Sequence, residues 1–299
     1  MEAADAVAPA SKRSAGRRLA DLFYGRPRAT VAAMLSAPLG WLVVLYIGSL
    51  AVMLIAAFWS VDALSGELNR SFSFDNFQTL LEDKVYRVVG QRTVLIAAGV
   101  TLTDALLAFP IAFYMAKLAS PRMKGVLVVA ILMPLWSFYL VKAYAWRIIL
   151  SDGGVLNWAL DPFGLSGPGL NGTFGAYMTF VYLWLPFMIL PIYAGLERIP
   201  NSLISASEDL GAGPGTTFRK VILPLAFPAV VAGSIFTFSL TLGDYITPSL
   251  VTSTQFIGNV IKSNIANNLP LASAYAMLPI LVMVVYLLIA RRLGAFEHL

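Results

Sequence analysis

Long apolar stretches alternate with short polar segments along the whole chain. Six stretches are close to the roughly 20 residues that a helix needs to cross the apolar core of a bilayer. They cover Pro38–Ser60, Val94–Met115, Val126–Leu150, Phe174–Leu196, Ile222–Leu242 and Ala274–Ala290. The strands of a membrane barrel would instead give alternating segments of about ten residues. The pattern therefore predicts an all-α membrane protein with six transmembrane helices.

Composition narrows the class further. Of the 299 residues, 58% are hydrophobic and 12% are charged, whereas soluble domains carry about 25% charged residues. Without Cys, and with His298 as the one His, the chain offers no disulfide framework, no Cys/His zinc site and no Ser-His-Asp triad. We predict no cofactor, no metal and no nucleic-acid partner; the surroundings are the lipid bilayer.

Basic residues predict the orientation, because Lys and Arg concentrate in cytoplasmic loops. Most of the 21 basic residues fall in alternate connecting segments and in the tails, while the loop from Ser151 to Thr173 has none. Both termini are therefore expected in the cytoplasm. The predicted organisation is a basic tail over residues 1–34, one six-helix membrane domain over 35–292, and a short tail over 293–299.

A short cytoplasmic helix is predicted at about residues 201–213, between the fourth and fifth stretches. Asn201 or Ser202 can cap its start. Ser205 and Glu208 have the spacing of a capping box, in which each side chain bonds the other residue's backbone. Such a helix would lie along the membrane rather than through it.

The same segment carries signals that end a helix. Gly211 and Gly213 are predicted to adopt the positive φ that terminates helices, and Pro214 cannot continue one. Pro224 is expected in the first turn of the next membrane helix, where its missing N–H costs little. A rigid helix between two spans is suited to docking in a groove of a partner and passing on its motion.

This segment resembles the EAA signature of bacterial ABC-importer permeases. The matching residues are Ser205-Ala206-Ser207, then Gly211, then Ile222-Leu223-Pro224. Ser205 stands where that family usually has Glu and Ser207 where it has Ala, and Glu208 is an alternative acidic contact one turn later. The resemblance implies that the following residues couple the chain to an ATPase: Ser205, Ala206, Ser207, Glu208, Asp209, Gly211, Ala212, Phe218 and Pro224.

A narrower resemblance is to spermidine/putrescine permeases of the B type. It rests on Tyr144-Ala145-Trp146 with the following segment 150–157, on Gly243-Asp-Tyr-Ile-Thr-Pro-Ser-Leu-Val251, and on Phe74-Asp-Asn-Phe77. The likeness extends from about Leu35 to Arg292. Related importers for another small substrate, such as an aminophosphonate, ferric ion or another amine, share these patterns and remain an alternative.

The family implies a fold and a set of partners. The expected fold is the type I ABC importer (MetI-like) permease architecture, in the bacterial cytoplasmic membrane. Expected partners are a second homologous permease subunit forming a heterodimer, two cytoplasmic ABC ATPase subunits, an extracytoplasmic solute-binding protein and a small cationic substrate. The chain has no G-x-x-x-x-G-K-[ST] phosphate loop, so we predict a transport subunit and not an enzyme.

Acidic residues inside the apolar stretches are candidates for the substrate path. A carboxylate such as Asp104 is costly in a membrane and should face the bundle interior or a wet cavity. It could lie on a cation path, or be paired with Lys142 or with nearby Thr hydroxyls.

Asp244 lies between Gly243 and Pro248, where the helix is expected to break, and broken helices line substrate sites in transporters. Asp244 could instead cap the following segment. Several aromatic residues could line the same cavity: Trp136, Tyr139, Tyr144, Trp146, Tyr182 and Trp184. The predicted path residues are Asp244, Tyr245, Asp104, Tyr144, Trp146 and Trp184.

Two other function classes have less support in the sequence. An ion-coupled secondary transporter would need inverted repeats and more buried ionisable residues than Asp104 and Asp244. A membrane-embedded enzyme would need nucleophiles or paired carboxylates that these stretches lack.

Overall fold

A computed structural model describes residues 27–62 and 65–292. Most of the basic tail and the C-terminal segment 293–299, including His298, lie outside these residues. The chain divides into two units, one up to Ile55 and one from Ala56 onward. The first unit contains α1 (Pro27–Leu42), a π-helical turn (Val43–Ile47) and most of α2 (Gly48–Ala56). Helical structure thus begins upstream of the predicted start at Pro38, which lies inside α1.

The second unit opens with a small hairpin and an amphipathic helix. Strands β1 (Ser60–Val61) and β2 (Leu68–Asn69) pair antiparallel, with Ser60 opposite Asn69. The short helix α3 (Asp75–Glu82) follows.

The remaining helices of the second unit, in chain order, are α4 (Lys84–Phe113), α5 (Pro121–Trp136), α6 (Tyr139–Leu150), α7 (Val155–Leu160), α8 (Thr173–Arg198), α9 (Asn201–Asp209), α10 (Pro214–Thr217), α11 (Leu223–Gly243), α12 (Ile246–Val251), α13 (Ile257–Ile265) and α14 (Leu269–Arg292). A π-helical turn at Tyr114–Leu118 extends α4, and another at Phe218–Ile222 joins α10 to α11.

Within the described residues, five helices are long and apolar enough to cross a membrane, and a bent pair brings the number to six. The predicted number of spans is confirmed. The stretch Val126–Leu150, predicted as one transmembrane helix, contains parts of two helices, because α5 and α6 meet at an angle of 91°. Ser137 and Phe138 have extended backbone there, with ψ near 137° and 132°.

Helices α4, α8 and α11 form the centre of the second unit. Small residues bring α8 and α11 close together. A Cβ placed on Gly195 would lie 2.3 Å from that of Ala229, and one on Gly233 would lie 2.7 Å from Sδ of Met188. The inner end of this core is a cluster that includes Met115, Ile192, Leu196, Ile199 and Ile222.

An aromatic cluster covers the end of the unit from which α4 starts. Phe58, Phe72, Phe74 and Phe77 have ring centroids 4.6–6.1 Å apart. The side-chain amide of Asn76 donates to the carbonyl oxygens of Ala57 and Trp59 at 2.9 and 2.7 Å. This bonding fixes α3 against the segment that precedes β1.

Candidate functional site

The predicted cytoplasmic helix exists as α9, but it starts differently from the prediction. The residue before its first turn is Pro200, and no side chain caps it. Ser205 lies in the middle of the helix and not at its start, so the expected capping box with Glu208 is not formed and that prediction is wrong. Pro200 ends α8 and turns the chain, because the residue has no N–H to continue a helix and is in an extended conformation, with ψ 139°.

The end of α9 is a Schellman motif. Gly211 has φ +80°, as predicted, and its N–H donates to the carbonyl of Glu208 at 2.8 Å. The N–H of Ala212 donates to the carbonyl of Ser207 at 3.0 Å. These two bonds satisfy carbonyls that a helix end otherwise leaves unpaired. Gly213 has φ −72°, so the prediction of a second positive φ is wrong.

Side chains on the inner face of α9 attach it to the membrane helices. Ile204 packs against the inner core cluster, and the hydroxyls of Ser207 and Thr217 lie 2.9 Å apart. Beyond the turn, the ring of Phe218 meets that of Phe109 on α4 edge-on at 5.4 Å. The loop is therefore bonded to both neighbouring spans.

Lys117, at the end of the second span, reaches the start of the same helix. Its Nζ donates to the carbonyl of Ile199 at 2.5 Å and to Oδ1 of Asn201 at 3.3 Å. Lys124 forms an ion pair with Glu197 at 2.7 Å. A cation beside the last carbonyls of α8 is also favoured by the dipole of that helix.

The opposite face of α9 is exposed to solvent. Most of the predicted coupling residues lie on it or on the following turn: Ser205, Ala206, Glu208, Asp209 and Gly211 are exposed, whereas Ser207 and Ala212 are half-buried. Leu203 and Leu210 are 45% and 89% exposed. Pro224 is the second residue of α11, as predicted, although helical structure already begins at Pro214.

The second candidate site is built around Asp244, at the break between α11 and α12. Its Oδ1 accepts hydrogen bonds from the N–H groups of Ile246 and Thr247 at 2.8 and 3.2 Å. Through Oδ1, Asp244 therefore caps the start of α12, which is the alternative role given to it in the sequence analysis. Its Oδ2 accepts from the hydroxyl of Thr247 at 2.6 Å and from the hydroxyl of Tyr139.

Asp244 also borders an open cavity of about 390 Å³. The walls include Tyr139 from α6, Trp184 from α8 and Ser239 from α11. The rings of Tyr139 and Trp184 are nearly parallel, with centroids 6.0 Å apart. A carboxylate beside two aromatic faces is suited to a cation. Two of the predicted path residues, Asp244 and Trp184, thus line the same cavity.

The structure does not bring the other predicted path residues to this cavity. The Tyr245 ring lies under Nζ of Lys262, 4.8 Å from the ring centroid, on the side of α13. Tyr144 is exposed, and Trp146 packs against Tyr182. Asp104 is fully buried, and among the described residues neither of its oxygens has a hydrogen-bond partner. The alternatives that paired it with Lys142 or a Thr hydroxyl are wrong.

Two residues of the candidate sites, Thr247 and Lys117, were not predicted from the sequence. Thr247 follows Asp244 by three residues, which is the spacing of a helix cap, and this signal could have found it. Lys117 is one of the basic residues of the connecting segments, and nothing local in the sequence indicates its hydrogen bond to the carbonyl of Ile199, 82 positions away.

Comparison with known proteins decides the family. Residues 95–296 match the model of the family described as "Binding-protein-dependent transport system inner membrane component". The chain belongs to this family. As such a permease it is a multi-pass protein of the inner membrane, and it is the transport subunit of an ABC importer whose ATP hydrolysis takes place on a partner subunit.

Individual relatives agree with this family. The permease is 41% identical to the inner membrane ABC transporter permease protein YdcU of Escherichia coli, over 94% of this chain and 95% of that protein. It is 32% identical to the spermidine/putrescine transport system permease protein PotB of Haemophilus influenzae, over 69% of this chain and 73% of that protein. Among solved structures, the fold is similar to a bacterial ABC transporter involved in the import of the acidic polysaccharide alginate, with TM-score 0.70 and 16% identity over 92% of this chain and 97% of that one.

Proposed function

We propose that this permease forms, with a second homologous permease, the translocation path of an importer for spermidine, putrescine or a closely related amine. The relatives named as spermidine/putrescine permeases support the substrate class. The Asp244 cavity supports it independently, because a polyamine is a chain of ammonium groups that needs a carboxylate and aromatic faces. That cavity is the observation on which the proposal mainly rests.

The face of α8 that carries Trp184, Pro191 and Arg198, together with the adjacent residues of α11, is the proposed surface for the second permease and for the path. Trp184, Pro191 and Arg198 recur every seven residues on α8, so they lie on one side of the helix. Near the α9 end, Pro191 and Arg198 border a second cavity of about 370 Å³, together with Leu203 and small residues of α11. Small residues on an exposed helix face are typical of helix contacts within membranes.

The proposed coupling element is the exposed face of α9. Two cytoplasmic ATPase subunits are the proposed partners at this end, and both chain termini are then cytoplasmic. The Schellman end and the bond from Lys117 would make α9 move as one body with α4 and α8. A solute-binding protein would deliver the amine at the opposite end. A crystal structure of the alginate transporter in complex with a bound periplasmic protein, with TM-score 0.71 to this chain, supports such an arrangement.

The test is uptake of labelled spermidine by proteoliposomes that contain the assembled transporter and its binding protein. Asn can still accept the N–H bonds that cap α12, so Asp244→Asn removes the charge and keeps the cap. We expect uptake to fall at least tenfold, as for the loss of one hydrogen bond to a charged group, with the ATPase subunits still bound. Asp152→Asn, at an exposed acid in the loop after α6, is the control and should leave uptake unchanged.

Two results would contradict the proposal. Equal uptake by Asp244→Asn and the original protein would leave Asp244 as a helix cap only. Uptake abolished by a proton uncoupler and insensitive to vanadate would indicate a secondary transporter.

A further inference from the structure

The Tyr139 hydroxyl occupies an acceptor position of Asp244 that a substrate cation would need. The Asp244 carboxylate has four donors: two backbone N–H groups and Thr247 Oγ1, all from α12, and the Tyr139 hydroxyl. The first three come from residues within three positions of Asp244. Tyr139 is 105 positions away in sequence, so its hydrogen bond can be lost by a movement of α6 that leaves all three donors from α12 in place.

The cluster of Asp244, Thr247 and Tyr139 has fewer hydroxyl protons than oxygen–oxygen contacts. The Tyr139 hydroxyl also lies 2.6 Å from Oγ1 of Thr247. Three oxygens, from Asp244, Thr247 and Tyr139, therefore make three mutual contacts. With an ionised carboxylate, only two hydroxyl protons are available for them. In one of the three contacts, two oxygen lone pairs therefore face each other without a proton between them. An incoming group with N–H donors would remove this repulsion.

The position of Tyr139 allows it to move. It is the first residue of α6, directly after the extended residues Ser137 and Phe138 where the third span bends by 91°. Its ring is stacked on Trp184, so a small rotation of α6 can slide the ring along the indole while the hydroxyl leaves Asp244. The cavity beside it is about 390 Å³, within the usual range for small-ligand sites.

We propose, on the basis of the function proposed above, that Tyr139 is a specificity-determining gate of the Asp244 site. The Tyr139 hydroxyl closes the site when no substrate is present, and a primary ammonium group opens it by donating its N–H protons to Asp244 and Thr247. A quaternary ammonium has no N–H donor, so it cannot replace the hydroxyl. The gate therefore selects primary amines by hydrogen bonding as well as by charge.

The test is equilibrium binding of labelled putrescine to the complete transporter in nanodiscs, without the binding protein, so that the affinity of the membrane site itself is measured. Tyr139→Phe keeps the stacked ring and removes the competing hydroxyl. We expect it to lower the Kd for putrescine about tenfold, the factor that corresponds to one hydrogen bond to a charged group. Tetramethylammonium should displace putrescine far less well than propylamine does from the original protein.

Matched variants separate this proposal from the one on which it depends. Tyr114→Phe makes the same change at an exposed tyrosine in the π-helical turn that extends α4 and should leave the Kd unchanged. Full putrescine binding by Asp244→Asn would overturn the proposed substrate site itself. Loss of binding in Asp244→Asn, together with an unchanged or raised Kd in Tyr139→Phe, would retain the site and overturn the gate. Equal displacement by tetramethylammonium and propylamine would also overturn it. Normal assembly of Tyr139→Phe with the ATPase subunits is the control for folding.

Discussion

Two glycines that flank Ala212 offer a controlled test of the coupling role proposed for α9. Gly211 has φ +80° and Gly213 has φ −72°. A Cβ added at either position would meet nothing within 4 Å, so an alanine changes only the backbone preference. At Gly211 the left-handed conformation costs a residue with a Cβ about 1–2 kcal/mol. At Gly213 an alanine fits the native conformation and is expected to stabilise by about 0.4–1 kcal/mol.

The two substitutions should therefore have opposite effects on the end of α9. For Gly211→Ala, a loss of about 1–2 kcal/mol lowers the ratio of the closed to the open Schellman end by roughly 5–30-fold. The assay is ATP hydrolysis by the reconstituted transporter, with and without loaded binding protein. We expect Gly211→Ala to lose most of the stimulation while the complex stays assembled, and Gly213→Ala to keep it. Gly211→Asn should be intermediate, because Asn tolerates this conformation better than Ala does.

Equal stimulation in Gly211→Ala and Gly213→Ala would exclude a role of the Schellman end in coupling. Loss of the ATPase subunits as the only defect of Gly211→Ala would also exclude it, since that result would indicate a damaged contact surface and not a loosened helix end.

Three further changes test the packing around the site. Gly195→Ala should lower the melting temperature of the purified protein, because its new methyl group would lie 2.3 Å from the Cβ of Ala229. Gly125→Ala has open space around it and should leave the melting temperature unchanged. Equal melting temperatures of the two variants would contradict the close contact of α8 and α11. Lys117→Met should destabilise by about 1.5–3 kcal/mol, as for hydrogen bonds to a charged group. Lys124→Met removes an ion pair on the surface, whose loss costs little, so it should lower the melting temperature less. The reverse order in thermal unfolding would exclude the role given to Lys117. Asp104→Asn should leave the melting temperature equal or raise it, because a buried carboxyl without a partner is costly, and a clear decrease would reveal a partner that stabilises Asp104.

The spans and helix α9 were predictable because their signals are local. Apolar length determines which segments can cross a bilayer. The end of α9 was readable from Gly211, since few other residues adopt a positive φ easily. Its start was misread, because Ser205 and Glu208 have the spacing of a capping box while Pro200 already sets where the helix begins.

The rest depended on contacts between distant residues. The bend between α5 and α6 lies at Ser137 and Phe138, neither of which is a strong helix breaker, and a hydropathy window averages across it. The pairing of Tyr139 with Asp244 joins two helix breaks that only the folded chain brings together. Asp104 shows the same limit, since its sequence position indicates burial but not which groups surround it.

The bend in the third span has a consequence for the lipid around the protein. Sixteen residues of α5 rise about 24 Å, less than the roughly 30 Å thickness of the hydrocarbon layer. The last carbonyls of α5 consequently end within the oily layer, where acyl chains offer them no hydrogen bonds. Water or a neighbouring subunit must therefore supply hydrogen bonds to these carbonyls at a depth where the surrounding bilayer is dry.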